Sequence, residues 1–286
     1  MTSDTRPLRI AVSGAAGFIG RHVLAELAGF DVEVIALARP GKKDLPSLAR
    51  GRWVSADFTT LRKDAYRSIG SPDVLIHLAW QGLPNYRSLH HIESELALHY
   101  EFLKNLVGQG LPSLVVAGTC LEYGMQYGLL AAQTETRPIT PYGLAKDMLR
   151  RQLEFLSRKQ AFHLAWARLF YMYGEGQSPA SLYPQIRAAV RRGEKVFHMS
   201  GGEQLLDFLP VAEVACQLVD LALRGSAQGI FNICSGRPVS VRNLVEKWIR
   251  ENHWSIECDL GYYPYSDYEP MAFWGKSNIN DEENDP

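Results

Sequence analysis

A tyrosine and a lysine stand four residues apart in the heptapeptide TPYGLAK, as Tyr142 and Lys146. On a helix that spacing sets both side chains on one face. A phenol and an ammonium held side by side can move a proton, yet the same pair occurs in many ordinary helix starts. Its significance depends on what else the chain supplies. The segment VSGAAGFIGRHV, near the N-terminus, carries Gly14, Gly17 and Gly20 at G-x-x-G-x-x-G spacing, with Phe18 and Ile19 between the last two. A glycine turn between a strand and a helix lets backbone N–H groups approach a pyrophosphate, and its last glycine lets helix and strand pack closely.

The second strand of such a unit decides which dinucleotide fits. A carboxylate at its end would hold the 2′-hydroxyl of NAD. ALARPGKK places Arg39 there, with Lys42 and Lys43 close behind. A guanidinium pairs bidentately with a 2′-phosphate, which favours NADP over NAD.

The elements that must position these residues can be read from periodicity. LRIAVSG, FDVEVIALAR, RWVSADF, PDVLIHLAW, PSLVVAGT and FHLAWARLF read as strands. Between them GRHVLAELAG, ESELALHYEFLKNLVGQG and PYGLAKDMLRRQLEFLSRK read as helices. Strands apolar on both faces, alternating with helices, predict an α/β fold of Rossmann type: a doubly wound parallel sheet with ligands at its carboxyl ends. Beyond Tyr173 the chain turns rich in Gly, Pro and Ser, and IRAAVRRGEK reads as a basic helix. The expected organisation is a dinucleotide-binding lobe over residues 1–172, rejoined by 206–235. Residues 173–205 and 236–286 then form a small substrate-binding lobe, whose acidic end, 280–286, reads as disordered.

With 286 residues, 46% of them hydrophobic and 21% charged, the chain has the composition of a globular protein. A formal net charge of −1 gives no electrostatic case for nucleic acid or an acidic membrane surface. No apolar run approaches the roughly 18 residues of a membrane span, and MTSDTRPLR lacks the apolar core of a signal peptide. A cytoplasmic location is the expectation. Cys120, Cys216, Cys234 and Cys258 are scattered and make no metal-ligand pattern.

Taken in order, the motifs resemble the extended short-chain dehydrogenase/reductases of the nucleotide-sugar epimerase/dehydratase family. ADFT resembles the family's adenine-contacting segment, at Asp57 and Phe58. HLAW resembles the segment beside the cofactor ribose, at Leu78 and Ala79. AGTCLEYG matches its Ser/Thr segment, PYGLAK its Tyr-x-x-x-Lys, and RLFYMYGEGQ and LLDFLPVAEVA two later segments. The resemblance implies that Thr119 orients the substrate oxygen and that Tyr142 is the acid in reduction or the base in oxidation. Lys146 would lower the Tyr142 pKa and hold the nicotinamide ribose. Cys120 and Leu121 stand where the family's 4,6-dehydratases carry Asp-Glu, which argues against dehydration. Cys120 reads as a buried thiol and Glu122 as an exposed loop acid.

TCLEYG, TPYGLAKDMLR and YEPMAFWG look most like members that reduce nucleotide-linked 4-keto-6-deoxyhexoses, as in O-antigen biosynthesis. A C4-epimerase with retained NAD is the alternative, and an NAD(P)-binding regulator without turnover a second one. The family's phosphate-binding arginine is replaced by Leu206, and its asparagine after the sixth strand by Tyr171. Substrate contacts are therefore expected from Thr119, Tyr171, Arg187 and Arg237, with Arg191, Arg192 and Lys195 as further cations. Relatives pair through the helices at 93–107 and 142–158, so a homodimer is expected.

Overall fold

The anticipated apolar runs form a seven-stranded sheet in which every pairing is parallel. The computed structural model describes residues 6–43, 45–60 and 64–279; residues 1–5, 44, 61–63 and the acidic end 280–286 lie outside the described residues. In chain order the first half runs β1 (Leu8–Ser13), α1 (Phe18–Leu27), β2 (Val32–Ala38), β3 (Gly51–Ser55), a short α2 (Ala65–Ser68) and β4 (Val74–His77). It continues with α3 (Leu96–Gly108), β5 (Ser113–Thr119), β6 (Gly128–Leu130), α4 (Pro141–Ser157), β7 (His163–Leu169) and β8 (Tyr171–Tyr173). The second half holds α5 (Leu182–Arg191), β9 (Val196–His198), β10 (Leu205–Pro210), α6 (Val211–Arg224), β11 (Gly229–Ile233), β12 (Pro238–Ser240), α7 (Val241–Glu251), β13 (Glu257–Asp259) and β14 (Ala272–Gly275).

The large sheet has the order β11-β7-β5-β4-β1-β2-β3. Its strand order reverses between β1 and β4, which opens the crevice where doubly wound sheets bind ligands. Both faces are apolar because both are covered. One packs Val12, Val34 and Ala167 against Val23 and Leu27 of α1 and Val214 and Leu218 of α6. The other packs Ile35, Leu75 and Val116 against Phe102 and Leu106 of α3 and Leu149 and Leu153 of α4. Each such Val, Leu, Ile or Phe side chain removed from water stabilises the fold by about 1.5–3 kcal/mol.

The small lobe has its own core, including Ile186, Leu206, Leu244, Val245, Trp248 and Phe273. Its sheet has the order β12-β10-β14-β6, with β8 also pairing β10. The lobes therefore divide the chain differently from the expected boundaries. Residues 205–210 belong to the small sheet, and α6 and β11 carry the return to the large one. β6 is given to the small sheet from inside the first 172 residues. Asp207, fully buried, ties these crossings together: its carboxylate accepts from Ser235 N (2.7 Å), Ser235 Oγ (2.6 Å), Gly236 N (2.9 Å) and Gly275 N (3.3 Å).

Among the described residues no helix is long and apolar enough to cross a membrane.

Candidate active site

The glycine turn does what its spacing predicts. Gly14 has φ +71°, and a Cβ there would lie 2.8 Å from Ala79 N; at Gly20 a Cβ would lie 2.2 Å from the Gly14 carbonyl oxygen. Larger residues would push apart β1, the segment after β4 and α1. Gly17 caps α1 with no side-chain hydrogen bond, so the first-turn N–H groups of this helix are left for a ligand. Gly14, Gly17, Phe18, Ile19 and Gly20 all line one cavity of about 830 Å³. This cradle fits a dinucleotide pyrophosphate.

The other expected cofactor residues lie around the same cavity. Arg39, Asp57, Phe58, Leu78 and Ala79 line it, with Lys42 beside Arg39. Arg39 is exposed and donates to Gln81 Oε1 (3.1 Å). Asp57 accepts from Thr59 N (2.9 Å) and Oγ1 (2.7 Å), which holds its carboxyl below the usual range. The Phe58 ring turns inward to stack on Phe102, with centroids 3.9 Å apart.

At the carboxyl end of β5, Thr119 starts a 3₁₀ turn, Cys120–Glu122. Its Oγ1 accepts from Leu121 N (3.3 Å), while its own N–H donates to Glu122 Oε1 (2.9 Å), the reciprocal pattern of a capping box. Glu122 is thus not the exposed loop acid expected from the sequence. It is fully buried, its Oε2 accepting from Arg168 Nε (2.7 Å) and its carboxylate from Trp166 Nε1 (3.0 Å). Burial raises its pKa, opposed by the Arg168 guanidinium and these donated bonds. Cys120 is buried as expected, and burial lifts its thiol well above the ordinary value.

Helix α4 begins with Thr140 accepting from Gly143 N (3.1 Å) and Pro141 in the first turn. A side chain at Gly143 would come within 2.6 Å of the Leu121 carbonyl oxygen. The glycine of TPYGLAK therefore lets α4 abut the turn after Thr119 and brings Tyr142 to it. Tyr142 lines the cavity, and its backbone N–H donates to the Tyr86 carbonyl (3.1 Å).

The protein's own groups push the Tyr142 phenol up rather than down: burial dominates, joined by Tyr86, Glu122 and Cys120, while a hydrogen bond from Thr119 opposes them. Lys146 is buried and lowered to about 7, chiefly by burial, with Glu122 and Glu95 pulling it up. Its ammonium donates to the Ala117 carbonyl (3.0 Å) and lies 3.9 Å from the Trp80 ring centre and 5.9 Å from that of Tyr142. Lys146 thus stands behind the tyrosine, off the cavity wall.

Trp80 stacks on His99, which belongs to a buried chain absent from the sequence reading. Ser13 Oγ meets His77 Nδ1 (2.8 Å), His77 Nε2 meets His99 Nδ1 (2.8 Å), and His99 Nε2 meets Glu95 Oε2 (3.1 Å). Because Glu95 only accepts, each neutral ring has a fixed tautomer and the chain ends with Ser13 donating. It joins the ends of β1 and β4 to the turn before α3, and so fixes the segment that carries Leu78 and Ala79.

At the substrate end, Tyr171 lines the cavity as expected, and its hydroxyl donates to Glu269 Oε1 (2.5 Å). Arg187 and Arg237 do not line it. Arg187 pairs with Glu175, Arg192 with Glu194, and Arg237 is exposed. Leu206 is packed in the small-lobe core. Trp80, Tyr86, Gln177, Ser178 and Glu269 line the cavity without having been anticipated.

The model of the NAD dependent epimerase/dehydratase family matches residues 10–234. The chain belongs to this family. Like its relatives, it is an NAD(P)-dependent oxidoreductase. The dTDP-6-deoxy-L-talose 4-dehydrogenase (NAD(+)) of Aggregatibacter actinomycetemcomitans is 32% identical over 270 residues, 94% of this chain and 99% of that one. The GDP-6-deoxy-D-mannose reductase of Pseudomonas aeruginosa is 27% identical over 256 residues, 83% of this chain and 78% of its own. Among solved structures, MoeE5 in complex with UDP-glucose and NAD superposes with a TM-score of 0.79 at 28% identity, covering 94% of this chain and 89% of that one.

Proposed function

We propose that this enzyme reduces the ketone of a nucleotide-activated 4-keto-6-deoxyhexose, with NADPH favoured over NADH. The observation that carries the proposal is the Tyr142 phenol. It stands on the cavity wall beside Thr119, and burial pushes its pKa further above the ordinary phenol value.

A bound reduced nicotinamide would supply the hydride to the carbonyl carbon, leaving an alkoxide oxygen. Thr119 Oγ1 and the Tyr142 hydroxyl donate to the carbonyl oxygen, stabilising the charge that develops on it. Tyr142 then gives that oxygen its proton. The phenolate left behind is favoured by the Lys146 ammonium, 5.9 Å from the ring centre, and regains a proton from solvent. The reverse sequence is an oxidation at the same carbon, with Tyr142 as base. Removing water would need a second acid and base after Thr119, and that turn offers a protonated thiol at Cys120 and an apolar Leu121.

Two relatives named for reactions at 6-deoxyhexoses support the substrate class. The absence of an acid at the end of β2, with Arg39 on the cavity rim, supports the 2′-phosphate. A homodimer is part of the same proposal. Leu144, Met148 and Phe155 of α4 are 38%, 38% and 64% exposed along one helix face, more apolar surface than a lone helix leaves open.

The test follows NADPH, and separately NADH, by absorbance with dTDP-, CDP- and GDP-4-keto-6-deoxyhexoses. Steady loss with one sugar establishes the ketoreductase and identifies its cofactor. No loss with any of them removes this proposal in favour of C4-epimerisation with retained cofactor, or of a substrate lacking the diphosphate.

A further inference from the structure

Among the described residues, Glu269 is the one carboxylate on the cavity wall besides Asp57. It arrives on the segment between β13 and β14, far in sequence from the other wall residues. Tyr171 holds its Oε1, and Oε2 accepts no hydrogen bond from any described residue. No described cation forms an ion pair with it. The nearby Arg87 is turned to Asp267 and lies over the Tyr268 ring. Its surroundings are Tyr171, Tyr86 and the thiol of Cys120, each of whose ionisation it opposes. Tyr86 in turn packs on Tyr142, with ring centres 5.5 Å apart. Glu269 therefore shares the cavity wall with the proton donor Tyr142, which places it within the cavity that the sugar of the proposed substrate would enter.

We propose that Glu269 is a specificity-determining residue, accepting hydrogen bonds from the hydroxyls of a neutral glycosyl group and excluding sugars that carry a carboxylate. The inference rests on the nucleotide-sugar reading above. A carboxylate offers acceptor sites only, so hydroxyl donors suit it. Burial lifts this carboxyl above its ordinary value, and the bond from Tyr171 draws it back. A second carboxylate brought within a few ångström, with no cation to share, would meet like-charge repulsion in a cavity that also strips its water.

The experiment is a binding comparison on the NADP-loaded enzyme, by calorimetry, of glucose against glucuronic acid on UDP and on dTDP. Each pair differs only at C6, as a hydroxymethyl or a carboxylate. The wild type is expected to prefer the neutral sugar on the order of 100-fold. Glu269→Gln keeps the shape and the acceptor for Tyr171, and should reduce the preference to under about 5-fold. With the keto substrate it should raise KM roughly 10-fold and leave kcat within about 3-fold. An unchanged preference in Glu269→Gln, or binding of neither sugar in either series, overturns the inference. Turnover is not needed in the binding arm. A wild type that oxidises no cofactor yet shows the Glu269-dependent preference would sink the ketoreductase and leave Glu269 in its role.

Discussion

Glu122 and Arg168 form a fully buried ion pair, Oε2 to Nε 2.7 Å, directly beneath Thr119. Breaking such a pair leaves one charge stranded, which costs about 3–5 kcal/mol. Glu122→Ala should lose that much in urea unfolding, and it should slow turnover because the Thr119 N–H loses its acceptor. A variant of wild-type stability would mean that the pair does not anchor the turn.

Tyr142→Phe keeps the ring packing and removes the proton. General acid catalysis contributes about 10²–10⁴-fold, and kcat should fall by that factor. The dissociation constant for the cofactor, read from quenching of protein fluorescence, should change less than about 3-fold. Retained turnover would take the proton donor away from this residue.

Arg39→Ser tests the coenzyme preference. Losing charge-assisted bonds to a 2′-phosphate should raise KM for NADPH about 10–100-fold and leave KM for NADH nearly constant. Equal effects on both would show that Arg39 does not contact the 2′ position.

Lys146 gives the stability a pH signature. Its pKa is about 7 in the fold against 10.5 for the ordinary side chain, so between those values the folded chain holds fewer protons than the unfolded one. Stability due to this residue must then rise as pH climbs from about 7 to about 10.5, and the burial penalty is complete below 7. Thermal midpoints of the cofactor-free protein at pH 6.5 and 8.5 should differ more in the wild type than in Lys146→Met. Identical slopes would place the ammonium in water.

Phe155→Glu should turn a dimer into a monomer in light scattering after gel filtration, with its absorbance assay tested at equal concentration. A wild type that elutes as a monomer removes the proposed dimer outright.

Much of this was legible in the sequence, for physical reasons. Strands such as VLIH and SLVVAGT are buried along their whole length because both sheet faces are covered. The glycine turn was legible because only glycine admits the Gly14 φ and the Gly20 approach. Long-range partners were not. Glu122 reads as an exposed acid until Arg168, 46 residues on, is brought beneath it. Glu269 meets Tyr171 across 98 residues, and no local pattern announces it. The cap arginines looked available for phosphate, but Glu175 and Glu194 are near enough in sequence to claim Arg187 and Arg192. The strand at 205–210 looked like a return to the large sheet because its apolar run is the same in either setting.

The last strand of the large sheet, β11, reaches β7 only after the chain has made β6, β8, α5, β9 and β10 of the small lobe. During synthesis the β7 edge must therefore wait, unpaired, until about residue 233 has left the ribosome, and the small sheet waits longer still for β14. A nascent chain stalled between β10 and β11 exposes two incomplete edges at once, an invitation to pair with other chains. For this protein the vulnerable moment comes late in translation.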